Sequence, residues 1–242
     1  MTTILLFLTV IAAALVQSTS GFGFGIVFMA IVPLFLPYSM STVLSVMTCL
    51  FLQITVIIKL WHHIQWKMVV VPAIIAIIAS NLGVRLMVDL PEKTMALFLG
   101  VFLWLLALYM IFIAPKVHLK KNIVTEVSAG AISGFMTGMF AIGGPPMVAY
   151  YDAVFEDKLA YQGTIQTYFF INSLGTVFAN IMAGNVTMSL LPSLAVSVTA
   201  VIIGTFIGMK ILHGISMQTV RRIAYFVMLL AGTYQLFRGF FL

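Results

Sequence analysis

Gln17-Ser18-Thr19-Ser20-Gly21-Phe22-Gly23-Phe24-Gly25 breaks an otherwise apolar run with an amide, hydroxyls and glycines. The second half of the chain carries a partner, Thr137-Gly138-Met139-Phe140-Ala141-Ile142-Gly143-Gly144-Pro145-Pro146. In lipid every backbone N–H and C=O must find its partner inside the protein. A helix therefore breaks at membrane depth only where the freed groups face protein, water or a ligand. One such break in each half is an arrangement that builds a ligand site near the bilayer midplane.

Composition fixes the class. Of 242 residues, 62% are hydrophobic and 7% charged, and the mean hydropathy is +1.17. A water-facing surface cannot be covered from such a pool, so the chain reads as an all-α polytopic membrane protein. Ile4-Leu5-Leu6-Phe7-Leu8 has no basic segment before it and no small-residue cleavage site before the next span, so the first segment is expected to stay in the mature protein. Cys49 is the only cysteine, which removes an intramolecular disulfide and any cysteine metal cluster and leaves it a packing role. The net charge of +6 comes from Lys and Arg scattered between hydrophobic spans. That distribution orients a membrane protein, and it forms no basic patch to track nucleic acid.

In chain order, residues 4–16 and 25–36 are each about half of the roughly 20 residues that a spanning helix needs. Spans are expected at 42–58, 69–88 and 95–113, with Trp61 and Trp66 flanking a basic loop as interface anchors. A basic linker, 116–122, divides an N-terminal repeat (1–115) from a C-terminal repeat (123–242). The second half restarts the pattern with 123–142 and 144–155 around its break, then spans at 159–183, 193–212 and 223–237. Leu82-Gly83-Val84-Arg85-Leu86-Met87 is matched 125 residues later by Ile207-Gly208-Met209-Lys210-Ile211-Leu212, and Thr94 then falls on Thr219. The match indicates an internal duplication of about eight hydrophobic segments in one integral membrane domain.

Charge separates two readings of the broken segments. If both cross the membrane, Lys59, Lys67, Lys116, Lys120, Lys121 and Arg238 face Arg85, Lys93, Lys158, Lys210, Arg221 and Arg222, which orients nothing. If both dip in and return, Lys59, Lys67, Lys116, Lys120, Lys121, Lys158, Lys210, Arg221 and Arg222 share one side against Arg85, Lys93 and Arg238. The second sorting obeys the positive-inside rule. It favours two inverted repeats, each a re-entrant helix pair plus three transmembrane helices.

At the two breaks, GFGFGIVFMAIVPLF and TGMFAIGGPPMVAYY resemble the paired glycine-rich motifs of the TauE/SafE sulfite-exporter family, also called toluene sulfonate uptake permeases. The resemblance covers essentially the whole chain. It implies movement of a small sulfur-containing anion such as sulfite, thiosulfate, sulfoacetate or another organosulfonate across a prokaryotic inner membrane, with no cofactor. The first half departs from the family pattern, having GFGFG in place of a run of adjacent glycines, and this leaves the substrate open. A homodimer is compatible with the resemblance and is not specified by it.

The residues point the same way on physical grounds. A half-helix that starts at mid-membrane exposes N–H groups and the positive end of its dipole, a ready anion site. Gly21, Gly23, Gly25, Gly138, Gly143 and Gly144 place no side chain between backbone and ligand, and Pro145 suits a first helical turn. Gln17 and Ser20 at the first break, and Gln166 and Asn172 in the span after the second, are the candidate side-chain ligands. Helix-to-helix hydrogen bonding is the plainer role for such amides. Gly83, Gly100, Gly175, Gly204 and Gly208 read as helix-packing glycines. No Asp, Glu or His falls in the centre of a span, so the one candidate proton site is Asp152, about 12 Å along its helix from the break. His62 and His63 are adjacent and point to different faces, so no metal site is expected.

HExxH, GxSxG and Walker patterns are absent, and no histidine lies at the depth of Ser18, Ser20 or Cys49. An enzyme is therefore not expected. A non-transporting assembly subunit remains an alternative, as does proton-coupled uptake in place of export. The charge sorting predicts both termini in the periplasm and the 116–122 linker in the cytoplasm. Alkaline phosphatase fused to the C-terminus should accordingly be active; a fluorescent-protein fusion that glows there would overturn the arrangement.

Overall fold

The computed structural model describes residues 1–116, 119–211 and 217–241, without the side chains at 19, 20, 115, 209–211 and 217–221. His118 and His213, and the side chains of Ser20, Lys210 and Thr219, lie outside what is described. All described elements are helical: α1 (Thr2–Ser20), α2 (Phe24–Ile31), α3 (Tyr38–Leu60), α4 (Trp66–Asp89), α5 (Glu92–Leu108), α6 (Ile123–Phe140), α7 (Gly144–Val154), α8 (Lys158–Met182), α9 (Leu191–Ile211) and α10 (Met217–Phe241). Among the described residues, six stretches are long and apolar enough to cross a membrane: Tyr38–His63, Trp66–Asp89, Glu92–Ile113, Ile123–Phe140, Met188–Gly208 and Arg222–Phe241.

One element differs from the sequence expectation. α1 has 19 residues, about 28 Å at 1.5 Å per residue, and is not a half-span. Its polar end stays helical, with the Ser18 hydroxyl satisfied at the Ala14 carbonyl at 2.7 Å. The helix stops only where Gly21 turns left-handed at φ 80° and gives its N–H to Gln17 O. α8 has 25 residues but is too polar to join the six, because it carries Gln162, Gln166, Asn172 and Asn180 through the middle of the protein.

Glycines set the packing. Gly130, Gly134 and Gly138, spaced one turn apart on α6, lie against Pro72, Ala76 and Ser80 of α4, so these two helices run parallel. A Cβ on Gly138 would stand 2.1 Å from the Ser80 carbonyl oxygen, which is why the backbones can approach only with glycine there. Gly204 and Gly208 bring α9 against Ile11 and Leu15 of α1 in the same parallel sense. α5 and α10 are antiparallel, with Gly100 against Gly232 and Leu236, and Gly239 against Leu97. α3 and α8 are antiparallel as well, with Leu60 beside Gly163 and Gln53 Nε2 3.4 Å from Ser173 Oγ. α4 runs parallel to α8, since Gln65 N–H donates to Thr164 Oγ1 at 3.0 Å and Ile77 meets Gly175.

Each broken segment folds back on itself. Thr2, Thr3 and Leu6 of α1 line one cavity with Leu36, beyond α2, and with Pro192 and Ser193 at the start of α9. In the other segment Tyr150 of α7 lies beside the Glu126 carboxylate on α6, and Tyr151 OH donates to Met68 O at the start of α4 at 2.6 Å. Tyr38, the first residue of α3, donates its hydroxyl to Met139 O near the end of α6 at 2.8 Å. The first hairpin therefore opens at the end of the bundle where α3 begins and α6 finishes. The second opens at the opposite end, where α4 begins. Ile74, Ile78, Leu82 and Leu86 form an exposed apolar stripe along α4, the outward face expected of a helix in contact with acyl chains.

Candidate functional site

The tips of the two hairpins meet. A Cβ built on Gly25 would fall 2.0 Å from the Ala141 carbonyl oxygen, so α2 begins in direct backbone contact with the second break. Between them lies a cavity of about 50 Å³, lined by both breaks together with α3 and α8. It has room for a few waters or for one compact oxyanion in their place.

The first break is held by two glutamines. Gly23 adopts φ 107° and precedes α2, a conformation open to glycine and strained for other residues. The first N–H of α2, on Phe24, donates to Gln17 Oε1 at 2.9 Å. Gln166 of α8 donates its Nε2 to the Gly21 carbonyl at 2.7 Å and its Oε1 accepts from Gln17 Nε2 at 3.4 Å. Val27 N–H returns to Gly23 O. The orphan donors left at this helix start are thus those of Gly25 and Ile26, two residues of the lining.

The second break is held by hydroxyls and an asparagine. Ala141 turns left-handed at φ 55° and closes α6. Ser133 Oγ donates to Gly143 O at 2.5 Å, Thr137 Oγ1 to Ser133 O at 2.8 Å, and Asn172 Nδ2 to Thr137 Oγ1 at 2.9 Å. Gly143 has no room for a Cβ, which would meet Thr137 Oγ1 at 1.9 Å. Pro145 and Pro146 in the first turn of α7 have no N–H, so this half-helix offers the cavity only the Gly143 and Gly144 donors. Since Thr137 has already given its proton to Ser133, the Asn172 amide is oriented: its Nδ2 faces Thr137, and its buried Oδ1 is left without a partner.

Of the residues singled out in the sequence, Gln17, Gly23, Gly25, Gly143, Gly144, Pro145 and Asn172 line the cavity. Gln166 stands behind it, and the donors of Gln166 and Asn172 hold the breaks open where ligand contact was expected of them. Gly21 caps α1, and Gly138 packs against Ser80. Asp152 is exposed on α7 and is not part of the lining. Ser45, Cys49 and Gln53 of α3 and Phe169 and Ser173 of α8 join the site without having been expected there. Cys49, read as packing, accepts a hydrogen bond from Gln53 Nε2 at 3.3 Å. Glu126 was also missed: it is buried in the first turn of α6, with Oε1 unpartnered.

A helical bundle of membrane-spanning length, with two helix breaks facing one small polar cavity, defines a polytopic membrane protein of the transporter class. The family model for the sulfite exporter TauE/SafE matches residues 6–234. The chain belongs to that family, whose members are membrane transporters of sulfur anions such as sulfite. No curated protein and no solved structure matches it.

If Gln166 braces the first break, Gln166→Leu leaves the Gly21 carbonyl and the Gln17 amide without partners and should destabilise the protein by about 1–3 kcal/mol. Gln166→Glu keeps an acceptor for Gln17 and should fall between. Thermal unfolding of the purified protein in detergent measures the order, and equal midpoints for all three proteins would remove the brace.

Proposed function

We propose that this chain moves small sulfur oxyanions across the inner membrane by alternating access, with the anion held at the paired breaks by backbone N–H groups. The observation that carries the reading is the meeting of two half-helix starts across one cavity of about 50 Å³. Their dipoles and free donors favour an anion without a buried cation, and the size favours sulfite or thiosulfate over larger organosulfonates. The unpartnered Asn172 Oδ1 suits an anion that brings its own O–H, such as hydrogen sulfite. The halves 1–115 and 123–242 act as inverted repeats that rock about the tips, consistent with hairpins that open at opposite ends. A cell that is negative inside expels an anion with ~2.3 kcal/mol per charge per 100 mV, so export is the direction that needs no further coupling.

Counterflow of labelled sulfite in proteoliposomes tests the reading. Gly144 is the informative position, because a Cβ there would only touch Phe22 at 3.4 Å and Phe169 at 3.9 Å, ordinary contacts that the fold accommodates. Gly144→Val should keep the wild-type elution profile and lose sulfite binding and flux. Normal flux in this variant would place the site elsewhere.

A second reading, proton-coupled movement, is favoured by Glu126, a buried carboxylate with one free oxygen beside Tyr150; Asp152, the sequence candidate, is exposed. With potential clamped at zero, flux that follows a pH gradient in the wild type and in Asp152→Asn, and loses this dependence in Glu126→Gln, would establish the coupled scheme. Flux that follows the potential alone in all three supports simple export.

A further inference from the structure

We propose a second anion site, a vestibule at the end of the bundle where the first hairpin opens. Pro33, Tyr38, Glu92, Lys93, Gln235 and Arg238 line a cavity there of about 250 Å³, about five times the volume between the breaks. The inference rests on the reading of the breaks as an anion site.

Three observations converge on it. First, the charge sorting leaves only Arg85, Lys93 and Arg238 at this end, and two of the three share this cavity. Cations on the translocated side run against the positive-inside bias, so their collection around one space calls for a local cause. Second, Gln235 is 1% exposed, lines the cavity, and has neither Nε2 nor Oε1 hydrogen-bonded. A buried primary amide without partners is costly, and a ligand in the cavity would satisfy it. Third, the cavity is joined to the breaks: Tyr38 forms part of its wall and holds Met139 O by its hydroxyl at 2.8 Å, two residues before the left-handed Ala141.

The chemistry favours an oxyanion. Arg238 and Lys93 outnumber the Glu92 carboxylate, and Glu92 Oε1 is partly engaged by Tyr38 N–H at 3.4 Å. Arg238 is half-buried and already donates to Pro33 O, which fixes its guanidinium at the wall and leaves further N–H groups free for a bidentate contact. The vestibule collects a sulfur oxyanion on its way to or from the tips, and Tyr38 transmits its occupancy to the end of α6. A phosphate of a lipid headgroup presents the same oxygens and is the competing source of ligand.

The experiment is a stoichiometry. Sulfite binding to the protein purified in maltoside micelles is measured by calorimetry for the wild type, Lys93→Gln, Gln235→Leu and Gly144→Val. Arg238 is left intact because its loss would also free Pro33 O. Two sulfites per chain are expected for the wild type and one for Gly144→Val. In Lys93→Gln and Gln235→Leu the second sulfite should weaken about tenfold or more. Gln235→Leu should also unfold at the same or a higher temperature, since it removes an unsatisfied buried amide; a purely structural glutamine would give a lower one. Loss of the second sulfite in these two variants while Gly144→Val still binds both would uphold the vestibule and refute the site at the breaks. A single sulfite in the wild type, unaffected by Lys93→Gln and Gln235→Leu, refutes the vestibule. So does a wild-type thermal midpoint that rises with added phosphatidylglycerol, is lost in Lys93→Gln, and comes with no second sulfite, which would identify a headgroup site.

Discussion

A helix cannot end inside a membrane unless something receives its loose carbonyls and amides, and in this protein that task is shared by side chains of α1, α3, α6 and α8. α8 presents Gln166 to the first break and Asn172 to the second. The step of six positions from one to the other is about 9 Å along the helix axis, so a single helix reaches both breaks. The polarity that keeps α8 out of the set of ordinary spans is thus one condition for the other two interruptions. Tyr38 of α3 holds Met139 O, Gln17 of α1 accepts the Phe24 N–H, and Ser133 of α6 holds Gly143 O. Removing these contacts would leave several backbone groups unsatisfied in an apolar setting, at about 1–3 kcal/mol each.

The breaks themselves are local features, and they were visible in the sequence for that reason. Gly23, Gly25, Gly143, Gly144 and Pro145 stand out against apolar surroundings and need no knowledge of the fold. Gln17 was legible because it stands beside the first cluster. Ser45, Cys49 and Gln53 were not, since their place in the lining depends on which face α3 turns to α8, and no spacing in α3 records it. The roles of Gln166 and Asn172 were half-legible: buried amides must have partners, but the identity of the partners is a matter of tertiary register. Glu126 looks in sequence like an ordinary acidic residue in a first helical turn, where the dipole welcomes it. Only the return of α7 against α6 buries it beside Tyr150.

The length of α1 departs from the sequence expectation for a similar reason. The string Gln17 to Ser20 reads as the end of a half-span, yet hydroxyl groups can return to the preceding turn and be satisfied within a helix in lipid. Ser18 does so, and α1 reaches the full depth of its 19 residues before Gly21 ends it. The packing glycines were read correctly, because Gly83, Gly100, Gly175, Gly204 and Gly208 each meet a neighbouring helix where a Cβ would collide. What the sequence does not show is that Gly130, Gly134 and Gly138 form one continuous seam with α4.

The contact between Gly25 and Ala141 joins the two tips beside the cavity by backbone alone, and Phe22, Phe24, Ile142 and Phe169 belong to the cavity wall. An energised bilayer behaves as a charged capacitor, and any continuous thread of water through this protein would short it. Main chain pressed on main chain leaves no room for water at that contact. On the alternating-access reading proposed above, a small displacement at this contact would expose the cavity to one aqueous phase while the other stays sealed, so that the same few atoms would serve as gasket and as hinge point.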